Sequence, residues 1–245
     1  FIHGRQQEVR EFGATTRELL TLAEWLLLGG CQMVAMESTG SYWKPLYNIL
    51  ESSGLAAMVV NAQHMKAVPG RKTDVKDSEW IADLLQHGLL TASFIPDKAQ
   101  RELRELVGYR KSLVQDKNRE LNRLQKMLEG ANIKLSGTVR DINGKSARAI
   151  LEVLVSGDAI DSKKYDEMVA EKKIAGQLKA SKEQILDDIN GIMSPLQRQM
   201  MRVLLSHIDE LDDHIKELDD QIDNHMKPDE KQAVEAIKEV TGLGV

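Results

Sequence analysis

The chain has 245 residues, of which 42% are hydrophobic and 29% are charged, and this is the composition of a folded protein with one large or two smaller domains. The formal net charge of -5 is mild, so any surface that binds nucleic acid has to be local. The single cysteine, Cys31, excludes a disulfide framework, and the absence of a long apolar run predicts a cytoplasmic protein that does not bind membranes.

The first part of the chain, before Pro96, alternates short apolar runs with helical patterns, which predicts a mixed sheet with packed helices. Thr15 and Glu18 have the spacing of a capping box, and Gly29 follows the last apolar position of the helix that they begin. The predicted strands cover residues 1–4, 8–12, 32–36 and 56–61, and the predicted helices cover residues 15–28, 42–51 and 76–87. This order of elements resembles an RNase H-like domain that lacks its first strand.

The second part of the chain shows only helical patterns, so the predicted fold class is α/β followed by all-α. One long helix is expected over residues 97–135, and short helices are expected from there to residue 195. Apolar residues between Leu204 and His225 keep a heptad spacing, which is typical of a helix in a coiled coil, and Pro228 is expected to end it. The partner of this helix is either the earlier long helix or another subunit.

Three carboxylates are candidate metal ligands. Glu37 directly follows a buried-looking strand, and ligand sites of open sheets gather at the carboxyl ends of strands. Asp74 and Asp77 are three positions apart, so on a helix they share one face. Carboxylates that converge repel one another, and Mg²⁺ or Mn²⁺ would relieve that repulsion through oxygen ligands. Two such ions can activate water and stabilise the leaving oxygen of a phosphodiester.

The same carboxylates have a simpler interpretation as helix caps. On this interpretation Asp74 is an N-cap and Asp77 lies in the first turn, where unpaired amides and the helix dipole favour negative charge. Glu37 would likewise cap the turn that follows its strand. The spacing alone favours the caps, and only the surrounding motifs favour the metal site.

The predicted long helix contains a local excess of bases, eight against four acids between residues 101 and 126. Such an excess fits contact with phosphates, and it also fits an exposed helix face with i,i+4 ion pairs. Nearer the carboxylates, Arg71, Lys72 and Lys76 would position a scissile phosphate. The bases of the long helix are Arg101, Arg104, Arg110, Lys111, Lys117, Arg119, Arg123 and Lys126.

Several long motifs are similar to those of the DEDD-type insertion-sequence transposases, which are related to the Piv DNA invertase. The motifs in this chain are MESTGSYWKP at 36–45, VNAQH at 60–64, KAVPGRKTDVKD at 66–77, WIADLL at 80–85, RELREL at 101–106 and RELNRL at 119–124. The resemblance implies a RuvC-like nuclease fold for the first part of the chain. It aligns Glu37, Asp74 and Asp77 with the second, third and fourth acidic positions of the family's metal site.

The resemblance also implies a mechanism and its partners. In this family a serine attacks DNA to form a covalent phosphoserine intermediate, while the acidic cluster with Mg²⁺ assists at the same phosphodiester. A structured guide RNA, encoded by the element itself, pairs with both donor and target DNA. We expect a homo-oligomer, dimer or tetramer, formed through the helical region in a bacterial or archaeal cytoplasm and associated with the nucleoid when active.

Two parts of the family pattern have no counterpart between Phe1 and Val245. The strand with the family's first aspartate would precede Phe1, and residues 236–245 resemble only the opening of the C-terminal domain that carries the serine. We therefore expect a fragment that cannot recombine DNA unaided. Its predicted domains are a nuclease domain at 1–96, a helical coiled-coil region at 97–230 and the start of a transposase domain at 231–245.

Two other functions fit the same residues. A junction-resolving, metal-dependent endonuclease uses the same fold and metal chemistry without a serine domain. A non-catalytic scaffold that binds nucleic acid and dimerises would use the carboxylates only as helix caps. The effect of Mg²⁺ or Mn²⁺ on thermal stability distinguishes the scaffold from the two enzymes.

Overall fold

The computed structural model describes residues 1–3, 6–61, 74–176 and 178–239, and for residues 3, 6 and 74–77 it describes the backbone alone. The chain divides into two compact units, residues 1–96 and residues 97–245. Within the described ranges no helix is both long enough and apolar enough to span a membrane.

The described part of the first unit contains a short hairpin, a pair of parallel strands and three helices. The strands are β1 (Ile2–His3), β2 (Gln6–Gln7), β3 (Met33–Glu37) and β4 (Ala56–Val60), and the helices are α1 (Thr16–Leu28), α2 (Trp43–Ser52) and α3 (Asp74–Gln86). The predicted mixture of strands and helices in this half of the chain is confirmed.

The parallel pair of β3 and β4 forms the centre of the first unit. Glu37 lies opposite Val60 at the end of the pair, and α2 forms the crossover that parallel strands require. Leu50 of α2 and Val59 of β4 are almost fully buried in one apolar cluster with Leu26 of α1. The strands therefore end together, and their carboxyl ends form one edge of the sheet.

The predicted hairpin is present, but its second strand lies earlier than we predicted. Gln6–Gln7 pairs antiparallel with Ile2–His3, whereas residues 8–12 have no regular secondary structure. The prediction was wrong because it placed the apolar residues of this segment in a ladder. Phe12 instead packs its ring 5.5 Å from that of Trp25 on α1, while the polar glutamines pair through their backbone.

All the regular secondary structure in the described residues of the second unit is helical, as predicted. Its helices are α4 (Lys98–Gly130), α5 (Leu135–Thr138), α6 (Lys145–Ser156), α7 (Ser162–Ala170), α8 (Lys182–Asp188), α9 (Pro195–His225) and α10 (Pro228–Lys238). Helix α4 ends five residues before the predicted limit, because Asn132 takes a left-handed conformation with φ 58°. Pro228 does follow the end of α9, and it also occupies the first turn of α10, where the missing N–H of proline costs no hydrogen bond.

Helices α4 and α9 pack against each other in antiparallel orientation. Arg110 forms an ion pair with Asp219, and Lys117 forms one with Asp212, so residue numbers rise along one helix as they fall along the other. Between the ion pairs, Leu113 packs in an apolar cluster with Leu211, Ile215 and Leu218. Helix α4 is therefore a partner of α9 within the chain, while the supercoiling of a coiled coil stays a prediction.

One buried acid interrupts the apolar seam of α4. Glu120 is only 7% exposed, and the neighbouring Leu121 packs against the apolar core of the unit. The Glu120 carboxylate pairs with Arg123 on its own helix and lies 3.8 Å from Nδ1 of His207 on α9. These partners offset the cost of removing the carboxylate from water.

A tight connection ties the end of α8 to the end of α4. The N–H of Ile192 donates to the carbonyl of Ala131 at 3.0 Å, and Gly191 passes directly over the same residue. A Cβ atom at Gly191 would lie 2.5 Å from the side chain of Ile133 and closer still to the Ala131 carbonyl oxygen. The connection therefore requires glycine for close approach of two backbones.

We expect Gly191→Ala to lower the free energy of unfolding by about 1–3 kcal/mol, because the new methyl group would force the Ala131 backbone and Ile133 apart. Gly137→Ala is the matched control, since a Cβ atom at this position in α5 meets nothing within 4 Å. The control should leave the free energy of unfolding unchanged or raise it by up to about 1 kcal/mol. Urea denaturation of both variants measures the difference, and equal midpoints would contradict the close packing at Gly191.

Candidate functional site

A cavity of about 750 Å³ lies beside β3 in the first unit. All five residues of β3 line one side of it, and residues of the hairpin, including Ile2 and Gln7, line another. Helix α3 contributes a third wall through residues that include Ser78, Ala82 and Leu85. The cavity thus separates the hairpin from the parallel strand pair.

The edge of β3 that faces away from β4 borders this cavity. The N–H of Ser38 donates to the carbonyl of Val60 at 2.9 Å. Because backbone groups alternate in direction along a strand, those of Met36 also point to β4. Those of Ala35 and Glu37 point away from β4. A strand of five residues fills roughly 17 by 4.8 by 10 Å, or about 800 Å³. The volume of the cavity is therefore close to that of one strand of this length.

Glu37 is the last residue of β3 and lines the cavity with a partly buried side chain. Its Oε1 atom accepts a hydrogen bond from the hydroxyl of Thr39 at 2.8 Å. Gly40 follows in a left-handed conformation, with φ 53°, as the chain turns towards α2. The turn therefore fixes one oxygen of a carboxylate at the carboxyl end of a parallel strand, the place where open sheets bind ligands.

The other two predicted metal ligands open α3, which packs against β3. Asp74 is the first residue of the helix and Asp77 lies in its first turn, where the helix dipole favours negative charge. Their side chains, and that of Lys76, lie outside the described part of the structure, as do Arg71 and Lys72 entirely. Among the side chains that are described, no group of three Asp, Glu, His or Cys residues could hold a metal ion.

One acidic residue that the sequence analysis did not select also lines the cavity. Glu79 of α3 is partly buried and lines the same cavity as Glu37. Ala82 and Gln86, three and seven residues after Glu79, also line the cavity. These spacings place the three side chains on one helical face, and this periodicity is the sequence signal that could have identified Glu79. The cavity thus has a described carboxylate on its strand wall and another on its helical wall.

Cys31 lines the same cavity just before β3. Its thiol donates a hydrogen bond to the carbonyl of Met33, with a sulfur to oxygen distance of 3.4 Å. Burial raises the pKa of the Cys31 thiol above its ordinary value. The thiol should therefore be less reactive than an exposed one at neutral pH.

The basic residues of α4 fall into two groups with different surroundings. One group lies on the side of α4 opposite α9, at positions three or four residues apart. The same face includes the uncharged residues Gly108, Gln115 and Asn122, and no acid lies on it between residues 101 and 126. We call this group the basic stripe, and all its members are exposed except Arg101, which is partly buried. The basic stripe consists of Arg101, Arg104, Lys111, Arg119 and Lys126, of which Arg119 forms an ion pair with Asp116 on the same helix.

The second group of bases has its charge matched by acids. Arg110 and Lys117 point to α9, where Asp219 and Asp212 bind them, and the bond to Asp219 raises the pKa of the Arg110 guanidinium. Arg123 pairs with the buried Glu120. These three predicted nucleic-acid contacts therefore take part in the packing of the second unit, and the basic stripe is the surface on α4 that faces outwards.

Comparison with known protein families gives a match over the first part of the chain. A family model described as a transposase, for the DEDD transposases of the IS110 type, matches residues 2–133. The match covers more than half of the chain and includes the cavity with Glu37 and the whole of α4. A search of curated proteins finds no match.

We expect iodoacetamide to alkylate Cys31 several-fold more slowly at neutral pH than it alkylates an exposed cysteine, because the raised pKa leaves less thiolate. The alkylation rate of Cys31 should still increase at pH values at which an exposed thiol is already fully ionised. The control is a Cys31→Ser, Gln125→Cys variant, whose thiol lies on the exposed part of α4. Equal rates for the two thiols at all pH values would contradict the buried position of Cys31.

Proposed function

Because the chain belongs to the DEDD transposase family of the IS110 type, we propose that it acts in DNA strand cleavage and exchange through a metal site formed by Glu37, Asp74 and Asp77. The observation that carries the proposal is the position of Glu37. This carboxylate lies at the end of a parallel strand, beside a cavity whose helical wall belongs to the helix that Asp74 and Asp77 begin.

The cavity beside β3 supports an RNase H-like, RuvC-like arrangement for the first unit. This fold would need one more strand between the hairpin and β3, and the cavity has about that volume. The edge of β3 that borders the cavity points the backbone groups of Ala35 and Glu37 towards it. An added strand would bring its own side chains beside Glu37.

The chemistry of the three side chains suits a hard divalent cation. Carboxylate oxygens are the ligands that Mg²⁺ and Mn²⁺ prefer, and when bound here such an ion would activate water and stabilise charge on a phosphodiester. Thr39 holds one oxygen of Glu37 in place, which reduces the freedom that the carboxylate loses on binding. Arg71, Lys72 and Lys76 adjoin Asp74 in sequence, and we propose that they bind the scissile phosphate.

The basic stripe of α4 supports a nucleic-acid partner in addition to the cleaved DNA. From Arg101 to Lys126 the stripe runs along about 37 Å of helix, at about 1.5 Å per residue. The acids on α9 bind Arg110 and Lys117 and not the stripe, in which Arg119 pairs with Asp116 of its own helix. We propose that the stripe contacts the phosphate backbone of DNA or of a structured guide RNA.

The remaining features of the proposal rest on family membership. We propose that the nucleophile is a serine, acting at the same phosphodiester as the carboxylates, and that donor and target DNA are selected by a guide RNA. We also propose that the active form is a homo-oligomer.

A non-catalytic scaffold is the second function that a specific observation favours. The hydrogen bond between Thr39 and Glu37 is local, and such a bond can serve only to stabilise a turn. On this alternative Asp74 and Asp77 stabilise the start of α3, and the basic stripe alone supplies the binding function. A junction-resolving endonuclease would share the metal site and differ only in needing no serine.

Mg²⁺ or Mn²⁺ should raise the melting temperature of the wild-type protein, and should not raise that of Glu37→Gln or of Asp74→Asn with Asp77→Asn. At a cation concentration 100 times the Kd, the gain corresponds to about 2.7 kcal/mol. Asparagine has nearly the same size and shape as aspartate, so the aspartate variants remove the carboxylate charge that a metal ion needs with little change in packing. Differential scanning fluorimetry across a cation titration measures the shift.

The matched control for the cation titration is Asp83→Asn, on the same helix. Asp83 is exposed and lies 3.4 Å from His87, so its loss should leave the cation response at the wild-type level. If the double aspartate variant responds to cations like wild type, the metal site is refuted and the scaffold remains. If all the variants lose the response, including Asp83→Asn, the effect is not specific to the proposed ligands.

Replacing Arg104, Lys111 and Lys126 of the basic stripe by glutamine should weaken binding to duplex DNA and to a folded RNA hairpin. The slope of log K against log salt should fall by about 0.9 for each phosphate that the variant no longer neutralises, or about 2 to 3 in total. Lys163→Gln, Lys179→Gln and Lys216→Gln together remove the same charge from other positions of the second unit. Fluorescence anisotropy at several salt concentrations should show the larger change in slope for the stripe variant, and equal slopes would contradict the assignment.

A further inference from the structure

An exposed aromatic ring follows Glu37 at the carboxyl end of β3. Tyr42 directly precedes α2, and it is 83% exposed. The next two aromatic residues behave differently, because the rings of Trp43 and Tyr47 lie 5.7 Å apart and pack against the apolar cluster of the first unit. Within the described residues the Tyr42 ring has no aromatic partner. A large flat surface therefore faces solvent beside the candidate site.

The turn that holds Glu37 also holds Tyr42. The N–H of Tyr42 donates to the carbonyl of Thr39 at 3.2 Å, which closes a four-residue turn. The hydroxyl of the same Thr39 donates to Oε1 of Glu37 at 2.8 Å. A single threonine therefore fixes the carboxylate through its side chain and the tyrosine through its backbone.

The Tyr42 ring rests against the backbone of this turn. A Cβ atom at Gly40 would lie 3.7 Å from both Cδ2 and Cε2 of Tyr42, which is ordinary van der Waals contact. The first and last Cα atoms of such a turn lie within about 7 Å of each other. The ring is therefore anchored next to the residue that binds the Glu37 carboxylate, and most of its surface stays open.

Glu37 lies on the face of the strand pair that α3 covers. Its partner in the register, Val60, packs with Leu84 of α3, and paired residues of neighbouring strands point to the same face. Helix α3 begins at Asp74. A phosphate bound by the proposed metal ligands would therefore lie at the end of β3, and the nucleotide beside it would pass the turn that carries Tyr42.

We propose that Tyr42 stacks on a nucleobase next to the scissile phosphate and so positions the DNA strand at the metal site. This inference rests on the proposed function, because it requires a DNA strand at Glu37. Every nucleobase has a flat π-face, so a stacking contact accepts any base and needs no hydrogen-bond partner. A base can stack on the ring only after it leaves its own neighbours, which costs least in a single strand. The ligand is therefore an unpaired base.

A stacked base adds something that the carboxylates cannot supply. Metal ligands act on the phosphate alone, whereas a base held against Tyr42 also fixes the direction in which the strand leaves the site. A fixed direction is what an in-line displacement at phosphorus requires. Tyrosine suits this role because it has only two side-chain torsions and loses little conformational freedom when it binds.

Phe94 is a second aromatic residue of the first unit with the same exposure and a different position. It is 84% exposed. Ala92 bridges to Val60 on the edge of β4 that faces away from β3, and the bridge is antiparallel. Phe94 therefore lies back towards the start of β4, away from the carboxyl ends of the strands. It is the matched control for Tyr42.

Two oligonucleotides of equal charge test the stack. One is a single-stranded thymidine oligonucleotide, and the other is an abasic oligomer of the same length, which has the same phosphates and no bases. Tyr42→Ala should weaken binding of the full chain to the thymidine oligonucleotide about 5- to 150-fold and leave binding to the abasic oligomer unchanged. Tyr42→Phe should bind like wild type, because it keeps the ring, and Phe94→Ala should change neither affinity. Fluorescence anisotropy in Mg²⁺ measures all of these.

The difference between the two oligonucleotides decides the outcome. Equal affinity of wild type and Tyr42→Ala for the thymidine oligonucleotide would overturn the stack. An equal loss on both oligonucleotides would show a structural role for Tyr42, and a loss in Tyr42→Phe would show a role of its hydroxyl; either result refutes stacking. Since Tyr42 is exposed, circular dichroism of the alanine variant should match that of wild type.

Photo-cross-linking identifies the contact directly. An oligonucleotide with 5-iodouracil in place of thymine should cross-link to Tyr42, which peptide mass spectrometry locates, and should not cross-link to Phe94. Cross-links to Phe94 without Tyr42, or cross-links to Tyr42 from a uridine RNA but not from DNA, would refute the assignment to the DNA strand.

The cation titration separates the stack from the metal site. Tyr42→Ala should keep the wild-type rise in melting temperature with Mg²⁺, because the ring is not a metal ligand. If the cation response is intact and Tyr42→Ala binds thymidine like wild type, only the stack fails. If wild type shows no cation response, the metal site fails, and the thymidine and abasic oligonucleotides still decide the stack.

Discussion

The antiparallel packing of α4 on α9 determines which surfaces of the second unit remain available to partners. Acids on α9 bind Arg110 and Lys117, so the excess of acid on one helix and the excess of base on the other are reduced together. What is left on α4 is a basic face directed outwards. What is left on α9 is an apolar face near its beginning and an acidic region towards its end.

In the first unit the corresponding constraint is the parallel pairing of β3 with β4. It places Glu37 at the edge of the sheet, and it leaves the other side of β3 beside a cavity of strand size. A transposase needs carboxylates where a phosphodiester can approach, and the end of a parallel strand is such a place. The family match includes Glu37, and the parallel pairing places this carboxylate at the end of its strand.

Most of the elements could be predicted from the sequence, because their signals are local. The cap at Thr15 and the glycines after α1 determine where that helix begins and ends, and periodicity identifies α4 and α9. The register of the hairpin could not be predicted, since the aromatic contact between Phe12 and Trp25 decides it. The buried position of Glu120 likewise depends on His207, which is distant in sequence.

The candidate site was predictable in part. The pattern of a buried run followed by Glu37 predicts a carboxylate at a strand end, and the structure has it there. The spacing of Asp74 and Asp77 is the same for a helix cap and for a metal site, so local sequence cannot separate them. The bases of α4 are equally ambiguous, because only the packing of α9 separates those that form ion pairs from those that face outwards.

The buried Glu120 has a mechanical consequence for the helical pair. Sliding α4 along α9 by one heptad in one direction would bring Met200 opposite Glu120 and remove the contact of its carboxylate with His207. Sliding in the other direction would carry Arg110 past Asp219 to Met226, where the helix has ended. Both heptad shifts therefore lose contacts across the pair, which favours the observed register of α4 on α9.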